Sequence, residues 1–221
     1  MSVASQRRLA REQDQAVLGE LLHSLSQPLT TLRCSLELST DEIVGSPQDA
    51  IAGALEQTDR VIALVRLMRE YLDAETDGIT QSSASLLPVL RAVVEQLAPI
   101  AHEREVLLTV AGSCEAILEL AEPRLRLALQ YLVRRLIEEQ PRHGDVTLQL
   151  EQSASGAELW AHVRETPTTT TVRQDSFRTT LHNVQRVVAQ RLLESGGASL
   201  VFSGDGHSGF LLRVVRSPRA A

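Results

Sequence analysis

Leu18, Leu22, Leu25, Leu29, Leu32 and Leu36 recur at alternating steps of four and three residues. A strand repeats every two residues, so this spacing is the seam of a helix packed in a bundle. Inside the seam lies His23-Ser24-Leu25-Ser26-Gln27-Pro28-Leu29. His23 sits one residue past a seam leucine and should point to the flank or to solvent. Its neighbours at helical spacing are Gly19, Glu20, Gln27, Thr30 and Thr31, mostly small or polar. Pro28 removes the bond back to the Ser24 carbonyl and is expected to bend the helix. An accessible imidazole beside such a bend is a candidate reactive group. The plainer alternative is a surface histidine next to a simple kink.

The rest of the chain bounds what that histidine can serve. A length of 221 residues allows one large or two small domains. Aromatic residues are only 3%, so the core must be aliphatic. A net charge of −6 offers no basic field for nucleic acid. No apolar run approaches the roughly 20 residues that span a bilayer, so no membrane segment is expected. Arg7, Arg8 and Arg11 have no apolar stretch behind them, unlike a secretion signal. Cys34 and Cys114 lack metal-ligand spacing and are expected to be buried free thiols in a reducing, cytoplasmic setting.

Two regions follow. A first helix is expected from about Ser5 to Ser39, stopped by Gly45-Ser46-Pro47. A second should run from about Gln48 to Ala74, its seam formed by Ala54, Thr58, Val61, Val65, Met68 and Leu72. Ile51, Leu55, Ile62 and Leu64 widen that stripe. A lone hairpin cannot bury two such broad faces. A homodimeric four-helix bundle would do so, as would packing on later helices of the same chain. This hairpin domain covers residues 1–80, with a polar linker at its end.

Residues 84–221 change period. Helices are expected over Leu86–His102, Glu122–Glu139 and Ser176–Glu194, the second opened by Pro123 and the third closed by Gly196-Gly197. Strands are expected over 106–110, 116–120, 146–150, 158–163, 199–203 and 209–215. The fold class is therefore α+β, a long helical hairpin followed by an α/β sandwich.

The stretch from His23 to Thr30 resembles the H-box of two-component sensor histidine kinases. That motif has a histidine, an acid, two variable residues, a polar residue, proline and an apolar residue. Here Ser24 replaces the acid, and Glu20 one turn earlier is the nearest carboxylate. The second region resembles the ATP-binding domain that follows the H-box hairpin. Glu122-Pro123-Arg124-Leu125 through Leu136 is similar to the helix holding that family's magnesium-binding asparagine. Tyr131 and Arg135 stand where the family has asparagines, and Glu165-Thr166-Pro167-Thr168-Thr169 where it has Asp-x-Gly-x-Gly. No glycine occurs between Gly156 and Gly196 to let backbone amides approach phosphates.

An acceptor histidine kept beside a degenerate nucleotide site resembles the dimeric bacterial histidine phosphotransferases. The resemblance implies phosphoryl transfer through His23 between receiver-domain aspartates of response regulators, without ATP. It implies no cofactor of the chain's own, the receiver supplying Mg²⁺. Ser24, Gln27, Pro28 and Thr31, with Glu20, would support or line the docking face. The alternatives are a receiver phosphatase using Gln27, a non-catalytic pseudokinase scaffold, and a divergent histidine kinase. His102-Glu103-Arg104-Glu105 reads as a solvated charge run. Asp205-Gly206-His207-Ser208 reads as turn chemistry, since adjacent residues cannot form a triad.

Overall fold

A computed structural model describes residues 19, 22–34, 47–77, 83–164, 176–202 and 209–215. The elements are α1 (residues 22–34), α2 (Pro47–Asp77), β1 (Ala84–Ser85), α3 (Leu86–Glu103), β2 (Leu107–Ala111), β3 (Ile117–Leu118) and α4 (Glu122–Glu139). They continue with β4 (Asp145–Ser153), β5 (Gly156–Arg164), α5 (Ser176–Ser195), β6 (Ala198–Phe202) and β7 (Gly209–Val215). The chain divides into two compact units. One joins Met1–Leu72 with Gln174–Val184, and the other joins Asp73–Arg173 with Gln185–Ala221.

The second unit is built on a mixed five-stranded sheet of order β2-β4-β5-β7-β6. β2 runs parallel to β4, and the remaining pairs are antiparallel. A parallel pair needs a crossover, and α4 lies within the segment joining β2 to β4. The β4–β5 hairpin turns between Ser153 and Gly156, where the alternation in the sequence breaks. Each strand of this hairpin shows one inward face. Val146, Leu148 and Leu150 on β4 and Leu159 and Ala161 on β5 are buried.

Helical spacing supplies the other half of this core. α3 buries Leu86, Val89, Leu90, Val93, Leu97 and Ala101. α4 is apolar around most of its circumference, and Leu125, Leu129, Leu132 and Leu136 are buried along it. α3 packs on α4 and on β2. α5 buries Val188, Ala189, Leu192 and Leu193, then ends at Gly196 and Gly197. Gly197 has φ +78, a left-handed conformation that lets the chain leave the helix.

Two expectations need correction. Residues 116–120 do not join the main sheet; β3 forms a separate two-stranded pairing with β1, with Ala84 opposite Leu118. That pairing was invisible in the sequence because two residues carry no period. Cys34 is exposed and Cys114 partly exposed, so neither is a buried thiol, although both are free. Cys34 lies on the solvent side of an amphipathic helix, where its residue type decides nothing. Within one chain, the buried stripe of α2 is formed by Gln57, Leu64, Leu67 and Tyr71. The expected seam residues Val65 and Leu72 are exposed there.

Candidate functional site

Three consecutive residues of α1 face three directions, because each step turns the helix by about 100°. Leu22 is exposed, His23 is exposed, and Ser24 is buried at 8% exposure. Pro28, one turn below Ser24, is buried as well. The inward strip of α1 is therefore Ser24 and Pro28. The seam residues Leu22 and Leu29 are exposed, and Leu25 and Leu32 half-buried. α1 continues as a helix through Pro28.

His23 thus points away from both the buried strip and the bare leucines. Gln27 and Thr30, on its own side of the helix, are exposed, as are Ser26 and Thr31. The hydroxyls are tied to the backbone one turn back. Ser26 Oγ donates to the Leu22 carbonyl at 2.9 Å, Thr30 Oγ1 to Ser26 at 2.9 Å, and Thr31 Oγ1 to Gln27 at 3.1 Å. Each proton is committed inward, to the helix backbone. One turn above His23, a side chain on Gly19 would meet nothing within 4 Å.

Of the expected docking set, Gln27 and Thr31 share the exposed side with His23. Ser24 and Pro28 do not; they face inward and can act only by shaping the helix from behind. Glu20 lies outside the described residues, as do residues 165–175 and the turn at 203–208.

α2 carries two apolar stripes on opposite sides. One is the buried line of Leu64, Leu67 and Tyr71, with Gln57 as its polar member. The other is Ile51, Leu55, Ile62, Val65 and Leu72, all exposed. It too advances by fours and threes, with Thr58 and Arg69 filling the steps. The spacing of this second stripe was legible in the sequence, but its being uncovered was not. Gln57, a buried polar residue, gave no signal at all.

In the second unit, two positions resembling a nucleotide site lie inside the described residues. Tyr131 and Arg135 on α4 are both buried. Arg135 Nε donates to Glu139 Oε1 at 2.8 Å, a part-buried pair one turn apart near the end of α4. A guanidinium at an expected magnesium ligand repels a divalent cation, since a fixed positive charge in a low dielectric is strongly felt. Arg135 has no lone pair to donate to a metal. These residues do not fit a magnesium–nucleotide complex. Among the described residues, no helix is long and apolar enough to cross a membrane.

No protein-family model matches the sequence, and no curated protein does. Solved structures do. The histidine kinase AdeS of Acinetobacter baumannii aligns at a TM-score of 0.55 and 17% identity, over 87% of this chain and 97% of that one. A histidine kinase from Burkholderia phymatum covers 88% of this chain and 96% of its own, at 16% identity and a TM-score of 0.47. A bacterial phosphotransferase covers 96% of both chains at 16% identity and a TM-score of 0.40. The last two scores are too low to carry weight. At such identities AdeS informs the fold and nothing finer, and on that basis the chain has the fold of a histidine kinase-like protein, helices joined to a five-stranded mixed sheet.

Proposed function

We propose that this chain is a histidine phosphotransferase of a two-component phosphorelay, carrying a phosphoryl group on His23 between receiver-domain aspartates. The observation that best supports this reading is His23 on the free side of α1, apart from both the buried strip and the bare apolar stripe. A homodimer formed through the bare stripes of α1 and α2 would leave that side open to a receiver.

In the first transfer, the unprotonated imidazole nitrogen attacks the phosphorus of a receiver's aspartyl phosphate in line. An N–P bond forms while the bond from phosphorus to the aspartyl oxygen breaks, and the aspartate leaves as a carboxylate. In the second transfer, an aspartate of another receiver attacks the phosphohistidine, and the imidazole leaves with its lone pair. Neither step needs a base at Ser24, because the attacking nitrogen of a neutral imidazole carries a lone pair and no proton. The chemistry is positioning and charge neutralisation, with any Mg²⁺ belonging to the receiver. Gln27, Thr30 and Thr31 place an amide and two hydroxyls on the exposed side of the helix, suited to a polar docking face. Ser24 and Pro28 set the shape of the helix behind it.

Two other readings have an observation in their favour. Gln27 is exposed one turn after His23 and could orient a water, which suits a receiver phosphatase. The second unit keeps an intact sheet and helix layer, which suits a divergent ATP-dependent kinase. One experiment separates them. The protein is incubated with labelled ATP alone, and separately with labelled phosphorylated receiver domains. Label taken from a receiver and not from ATP, and lost in His23→Gln, supports the phosphotransferase. Label from ATP alone overturns it in favour of a kinase. Shortened receiver phosphate lifetime without labelled protein means a phosphatase. No label and no change in lifetime leaves a scaffold.

A further inference from the structure

We draw no further inference here: the strongest candidate, the side of the five-stranded sheet where the stacked Trp160 and His162 rings lie at 5.7 Å and Trp160 shares a row with Leu211 and Val201, carries nothing because nothing in the structure shows what covers it.

Discussion

Leu55→Glu is the sharpest perturbation of the proposed dimer. Leu55 is 62% exposed within one chain and sits in the bare stripe of α2. Glutamate is nearly as good a helix former as leucine, so folding of the single chain should change by less than about 0.5 kcal/mol. In the dimer the same residue would be covered. Complete burial of a leucine side chain contributes roughly 1.5–3 kcal/mol. The still-exposed portion is a little over half of that, about 1–2 kcal/mol per copy. Two-fold symmetry doubles the loss to about 2–4 kcal/mol. At 1.4 kcal/mol per decade, the dimer should weaken by about thirtyfold to several hundredfold. An uncompensated carboxylate in the interface would add to this. Sedimentation equilibrium over a concentration series reads the association constant, and circular dichroism reads the helix content. Asp59→Ala, an exposed change off both stripes, should leave both unaltered. A Leu55→Glu protein that dimerises as tightly as the wild type would refute the assignment of this stripe to the interface. A wild-type monomer would refute the dimer itself.

Other outcomes follow from single residues. His23→Gln should abolish labelling from a phosphorylated receiver while altering the urea midpoint by no more than about 0.5 kcal/mol of stability, since the side chain is exposed. Arg135→Ala removes the guanidinium that donates to the part-buried Glu139 carboxylate and should cost about 1–2 kcal/mol, read as a lower midpoint in urea. Gly209 has φ +137, and a Cβ there would lie 1.9 Å from the Ala161 carbonyl oxygen. Gly209→Ala should therefore break the β5–β7 pairing near its end and cost several kcal/mol, on the order of 3. Partial burial pushes the Cys114 thiol above its usual range, so less of it is thiolate at pH 8. Exposed Cys34 should react with iodoacetamide first, and mass spectrometry of peptides after short labelling should find it modified ahead of Cys114.

Much of the secondary structure was legible because it is a local property. α4 spans Glu122–Glu139 as its apolar run and opening Pro123 predict, and the β4–β5 hairpin turns where the alternation breaks. The resemblance around His23 likewise needed only adjacent residues. What the local pattern could not rank were two apolar stripes on one helix. Ala54, Val61, Val65 and Leu72 give as regular a spacing as Gln57, Leu64, Leu67 and Tyr71, yet the second set is the buried one.

By itself, then, the sequence determined the length, type and order of most elements, the placement of His23 beside a leucine seam, and an arginine and a tyrosine on α4 where a resembling site has asparagines. Only the tertiary structure decided which face of each long helix turns inward. It separated Ser24 and Pro28 from Gln27 and Thr31, paired β1 with β3, and buried Tyr131 and Arg135 on α4. The physical reason is that periodicity records which residues avoid water, through backbone geometry repeated every few residues. What covers them depends on contacts between segments far apart in the chain, and apolar burial is non-directional, so spacing alone cannot choose the partner.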